Sequence, residues 1–173
     1  MRYLGAAALT AAIVAVAASA SAQAWLPYAN TELGFSVETP VAAQVSNTTV
    51  ATPVGDVPTL YGAIDLGERG GMVFSVGDYT ALIAGRPFDV DKALEGSVQG
   101  EVANIKGVLD SETTITIDGE PGREVTAHTD TAKVRSRLVV RNSKIYMLIG
   151  VGPIATGVPP EFDRFEKSFH FTN

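Results

Sequence analysis

The nineteen residues from Lys133 to Val151, KVRSRLVVRNSKIYMLIGV, constrain the fold more than any other stretch, because they read as two β-strands closed by Asn142-Ser143. Asn tolerates the positive φ that a two-residue hairpin loop requires. Such a loop sets the register: Arg141 faces Lys144, Val140 faces Ile145, Leu138 faces Met147, Ser136 faces Ile149 and Val134 faces Val151. Side chains alternate across a sheet, so Val134, Ser136, Leu138, Val140, Ile145, Met147, Ile149 and Val151 share one mostly apolar face, the expected core. The other face carries Arg135, Arg137, Val139, Arg141, Lys144, Tyr146 and Leu148. It is too polar to be buried outright and too apolar to be wholly wet, so a helix is expected to cover part of it.

The chain before this hairpin alternates turns with short β-patterned runs. WLPYANTELGFSVETP, residues 25–40, predicts a turn over Asn30 to Gly34 and a strand through Phe35 and Val37 that stops at Pro40. A Val/Thr-rich strand is expected over 41–52, a turn made by Pro53, Gly55, Asp56 and Pro58, and a third strand over 59–66. The GERGG turn at 67–71 returns the chain into Met72 to Val76. Between Arg86 and Gly107 the period changes: Val90, Leu94, Val98, Val102 and Ile105 recur every three or four residues, as on one face of a helix. Asp89 is its expected N-cap and Gly107 its stop. Gly96 and Gly100 weaken such a helix, which suggests close approach to a sheet or a poorly continuous helix. Ser111 to Ile117 reads as a strand, Asp118-Gly119 as a hairpin turn, and Pro121-Gly122 as a bulge in the next strand. After Pro159-Pro160 a last helix carries Phe162 and Phe165 on one side, and Phe169 and Phe171 complete the core. Two helical segments among roughly eight hairpin-linked strands define an α+β domain, an antiparallel β-sheet flanked by helices.

Composition places the chain in a compartment. Residues 1–22 combine one early charge, Arg2, with an uncharged Ala/Val/Ile run and small residues, the pattern of a secretory signal peptide cleaved after Ala22 or Ala24. The apolar run is short for a bilayer span. A single domain is then expected over 25–173, periplasmic or secreted. With no Cys it can form neither a disulfide framework nor a thiolate metal site. Loss of Arg2 leaves twelve basic and 19 acidic residues, a net charge of −7, which disfavours nucleic acid and anionic membranes as partners.

Four pieces, YANTELGFSVETP (28–40), IDGEPGREV (117–125), RSRLVVRNSKIYMLIGV (135–151) and FDRFEKSFHF (162–171), together resemble the PsbP-like superfamily and related exported bacterial proteins of unassigned function. The resemblance implies a PsbP-like α/β/α sandwich and brings no catalytic motif. Better-known members serve a photosystem or bind a small GTPase, and no residue here carries either role over.

Candidate chemistry is sparse. His128 and His170, with Asp130 or Glu124, would fall short of a metal site unless folding gathers at least three ligands, and no HExxH spacing is present. GSVQG at 96–100 is not the GxSxG elbow and lies inside the expected helix. No phosphate loop occurs, and Asp89 with Asp91 suits capping better than calcium. No catalytic, cofactor-binding or metal residue is therefore assigned. The least bland feature is the stripe of Arg135, Arg137, Arg141, Lys144 and Tyr146, whose cations could grip a carboxylate or phosphate or instead pair with Glu161, Asp163 and Glu166 of the last helix. On the first reading, removing Arg137 costs little stability and weakens binding. The expected function is that of an exported, non-enzymatic protein that binds a partner or assists an envelope complex. A small-ligand carrier with an anion-selecting Arg/Tyr face is the alternative, and a hydrolase built on an unrecognised acid pair a more distant one.

Overall fold

Asn142 and Ser143 close the central hairpin with φ of 51° and 59°, and the strands they join pair in the expected register from Ala132↔Pro153 to Arg141↔Lys144. In the computed structural model, which describes residues 24–172, these strands are β8 (Ala132–Arg141) and β9 (Lys144–Pro153). The leader segment expected over 1–22 lies outside the described residues.

Eight further strands surround this hairpin: β1 (Leu26–Asn30), β2 (Phe35–Thr39), β3 (Gln44–Thr52), β4 (Gly55–Asp65), β5 (Gly71–Asp78), β6 (Val108–Ile117), β7 (Glu120–His128) and β10 (His170–Phe171). A large antiparallel sheet has the order β3-β4-β5-β9-β8-β7-β6, and a small one the order β1-β2-β10. Three α-helices complete the described residues: α1 (Thr80–Ile83), α2 (Val90–Asn104) and α3 (Glu161–Lys167). The segment through α2 carries the chain from central β5 to the far edge at β6, and three hairpins then bring it back to β9 beside β5. Helices and the small sheet thus cover both faces of one antiparallel sheet, the α+β arrangement expected.

Each face holds its own core. On one, Leu138, Val140, Ile145 and Val125 pack with Leu94 and Val98 of α2. On the other, Val139, Tyr146 and Leu148 join Leu60, Ile64, Met72, Phe74 and Val76 beneath Phe35 and Val37 of β2, Phe162 and Phe165 of α3, and Phe169. The face expected to be only partly covered therefore carries the larger core, because α3, the small sheet and Phe169 between them bring five more buried side chains onto it. Gly150 lets α3 sit that close: a Cβ there would lie 2.6 Å from Val158 and 2.7 Å from the Phe162 ring.

Several local expectations are corrected. The β3–β4 turn is only Pro53-Val54, with Thr52 paired to Gly55, so Gly55, Asp56 and Pro58 belong to β4. The irregularity in the β6–β7 ladder falls between Leu109 and Ser111 rather than at Pro121-Gly122, which pair regularly with Thr116 and Ile115. Asp89 does cap α2, accepting the Lys92 N–H at 3.2 Å. Gly96 and Gly100 do not approach the sheet: both are exposed, and a Cβ on either would meet nothing within 4 Å.

Candidate functional site

Alternation along β8 aims Arg135, Arg137 and Arg141 at the α3 side of the sheet, and the hairpin register places Lys144 beside Arg141 and Tyr146 beside Val139. Every cation of the stripe meets an acid of the same chain. Arg135 reaches Asp163 on α3 and lies 3.4 Å from Glu166, with its guanidinium 4.7 Å from the centre of the Phe162 ring. Arg137 Nε donates to Glu124 Oε2 at 2.8 Å and lies 3.3 Å from Glu166. Glu124 stands directly across from Arg137 in the β7–β8 ladder. Arg141 stacks over Phe171 at 4.8 Å and faces Glu120 at 3.5 Å, while Lys144 faces Asp78 at 3.3 Å. Of the helix acids expected to answer the stripe, Asp163 and Glu166 do so and Glu161 pairs with Arg69 instead.

Electrostatics follow from this layout. Burial pushes the Glu166 carboxyl above its ordinary range, against the pull of Arg135 and Arg137. The hydrogen bond from Arg135 holds Asp163 below its ordinary value. Burial alone would raise Asp78, but hydrogen bonds from Thr80 and the charge of Lys144 hold it down. Tyr146 is pushed up to about 12 by burial, and its hydroxyl donates to the Leu33 carbonyl at 2.7 Å, tying the hairpin to the turn before β2. Tyr146 is thereby committed to the core, whereas Arg141, Lys144 and Tyr146 together also edge an open cleft of about 210 Å³ with Glu32, Leu33, Gly34, Asn142 and Thr172.

The other candidates lie apart. His128 Nδ1 is 2.7 Å from Asp110 and His170 Nδ1 is 3.8 Å from Asp118. Those two acids are eight residues apart along β6 and its turn, roughly 25 Å at the rise of a strand, so folding does not unite the histidines. His128, Thr129, Asp130 and Thr131 border a second open cleft, of about 390 Å³, with Ile105 to Val108. Ser111 shares a hydrogen bond with Thr126 at 2.6 Å. Ser136 is fully buried and donates to Glu101 Oε2 at 2.8 Å. The acids gathered around Arg135 and Arg137 line neither cleft.

Sequence reasoning missed Glu120, Glu124 and Asp78 as counterions and Glu101 as a buried acid. Glu124 and Asp78 stand opposite Arg137 and Lys144 in their ladders, so a known order of strands would have exposed both pairs.

The fold has a solved counterpart. The solution structure of the cyanobacterial PsbP protein (CyanoP) from Synechocystis sp. PCC 6803 superposes with a TM-score of 0.53 over 88% of this chain and 95% of that one, at 11% sequence identity. The chain has a PsbP-like fold. At that identity the likeness concerns the fold alone, and the PsbP-like architecture is what holds the stripe against α3. Protein PA94 of Pseudomonas aeruginosa, of unknown function, matches at a TM-score of 0.37 and 14% identity over 63% of this chain and 84% of that one. No protein-family model and no curated protein sequence matches the PsbP-like chain.

Proposed function

We propose that this is an exported, non-enzymatic binding protein of the cell envelope, whose partner is another protein docking on its outer surface. The observation that carries the reading is the filled interior. Between the large sheet and α2 stand Leu94, Val98, Leu138 and Val140, and on the other side, under the small sheet and α3, stand Phe35, Phe74, Phe162, Phe165 and Phe169, all at most 3% exposed. A carrier would need room at those two places, since small ligands are held in concave sites that bury most of their surface. Recognition is assigned instead to the tip of the central hairpin, where the Arg141 and Lys144 cations border the 210 Å³ cleft and keep donors for a carboxylate-bearing segment.

Native mass spectrometry of the processed protein, isolated gently from its producing cells, tests this. An added mass equal to a different protein, lost on Arg141→Ala/Lys144→Ala, is the expected result. A reproducible addition of a few hundred daltons would overturn the reading in favour of a carrier. Turnover of a substrate by the purified protein would overturn its non-enzymatic part.

A further inference from the structure

The large sheet ends in two long, uncovered strands, and the two are built differently. At one edge, β6 carries Asp110 and Glu112 and is interrupted at Leu109/Ser111, devices that keep an edge from pairing with another chain. At the other edge β3 has none of these. Its nine residues, QVSNTTVAT, pair with β4 without a register shift, and residues 44–49 are exposed on both faces. Residues 41–55 contain no charged side chain and no Pro before position 53. Exposed apolar side chains gather on the same hairpin: Val45 at 43%, Val54 at 68% and Tyr61 at 36%.

We propose that β3 is the surface through which two copies of this chain join, edge to edge, about a two-fold axis at Thr48. The partner is a second copy because the chain is acidic, with a net charge of −6, so most surfaces of two copies repel, while this neutral strip meets itself without like-charge contact. Symmetry narrows the register. In a continuous antiparallel sheet opposing residues share a face, and a two-fold axis normal to the sheet then pairs only positions of equal parity. Thr48 is the midpoint of the strand, so full overlap sets it against itself, with Asn47 opposite Thr49, Ser46 opposite Val50, Val45 opposite Ala51 and Gln44 opposite Thr52. Hydroxyl and β-branched pairs of this kind suit neighbouring strands. The joined sheet runs through fourteen strands, twice the seven of one copy, and leaves only the two guarded β6 edges free. Pairing at β3 leaves the Arg141 end of the molecule open, so this inference stands apart from the partner proposed there.

The absence of cysteine makes the test direct. Opposed Cα atoms in antiparallel strands lie about 4.5–5.5 Å apart, within the roughly 4.4–6.8 Å that a disulfide spans. The protein carrying Thr48→Cys, purified as its cells process it, is expected to form a disulfide-linked homodimer under mild oxidation, while Thr113→Cys on β6 is not. Analytical ultracentrifugation is expected to show a concentration-dependent dimer, with Thr48→Lys raising its dissociation constant at least about tenfold because two ammonium groups then face each other. Circular dichroism checks that this variant at an exposed position stays folded. A monomer at every concentration up to about 1 mM, a dimer indifferent to Thr48→Lys, or capture of a different protein by Thr48→Cys would each overturn the proposal.

Discussion

Arg137→Met separates a structural role of the stripe from a purely ligand-binding one. Methionine keeps much of the aliphatic stem against the sheet and deletes the guanidinium. In the folded chain that guanidinium lies 2.8 Å from Glu124 and 3.3 Å from Glu166, whose side chain is only 6% exposed. Glu124 can turn to water. Glu166 cannot, and keeps only Arg135, at 3.4 Å. Leaving a buried polar group short of a partner costs about 1–3 kcal/mol, which for a domain of this size lowers Tm by roughly 2–4 °C per kcal/mol. The loss should depend on pH in a stated direction. Burial already raises the folded-state pKa of Glu166 above 4.5, and deleting Arg137 removes an influence that lowers it. The penalty is therefore full above the raised pKa, shrinks as pH falls through it, and is gone below 4.5, where the carboxyl is protonated folded and unfolded alike. Urea unfolding at several pH values, on Arg137→Met, Glu166→Gln and the double variant, measures it. Glu166→Gln should recover most of the loss caused by Arg137→Met, since the neutral amide needs no counterion. A single-variant cost below about 0.5 kcal/mol, or no recovery in the double, would refute the argument and restore the expectation that Arg137 is free for a ligand.

Two further perturbations test the other face. Gly96→Ala and Gly100→Ala should each stabilise the domain by about 1 kcal/mol, because the added Cβ meets nothing within 4 Å in the middle and last turns of α2; chemical denaturation of the single and double variants checks the sign and the additivity. Burial raises the Glu101 carboxyl above 4.5, against the hydrogen bond from Ser136, so the folded state holds the neutral form more firmly than the unfolded chain does. The resulting destabilisation is absent below about pH 4.5 and grows as pH rises through the folded-state value. Glu101→Gln should therefore match the parent near pH 4.5 and exceed it in stability at pH 7.5, and a constant difference across that range would count against a buried, proton-holding Glu101.

The central hairpin was legible residue by residue, because Asn142-Ser143 fixes both the loop and the parity of every position facing it. The cap at Asp89 and the turn at Asp118-Gly119 were legible for the same reason: short-range chemistry decides them, and Asp118 and Gly119 take the positive φ that a tight hairpin needs. What escaped depends on which distant element lands where. Val139, Tyr146 and Leu148 looked half wet because periodicity within one hairpin cannot show that Phe35, Phe162 and Phe169 arrive from both ends of the chain to cover them. Composition places the bulge at Pro121-Gly122, yet Pro121 sits in a regular stretch of the β6–β7 ladder, which breaks instead beside Asp110, whose neighbours Leu109 and Ser111 give no turn signal. For the stripe, two of the three helix acids named from the sequence do pair with it and the strand acids were missed, since cross-strand partners are invisible until strand order is known.

The two faces of the sheet are held by different physics, and that difference locates where recognition can act. α2 rests on Leu94 and Val98 with one buried polar contact, Glu101 to Ser136, and one exposed ion pair, Asp91 to Arg123 at 3.5 Å, so its seat depends chiefly on apolar burial. α3 is seven residues long, too short to be stable alone, and is held from beneath by Phe162 and Phe165 and from the side by Arg135 and Arg137 through Asp163 and Glu166. A ligand that drew Arg135 or Arg137 away would strip the counterions from a buried carboxylate and loosen the helix that roofs the larger core. Arg141 and Lys144 carry no such burden: their acids, Glu120 and Asp78, lie on neighbouring strands and are about one-third exposed, so either can be resolvated when a partner takes its place. Binding at the hairpin tip therefore costs the fold little, whereas binding along the rest of the stripe would act against it.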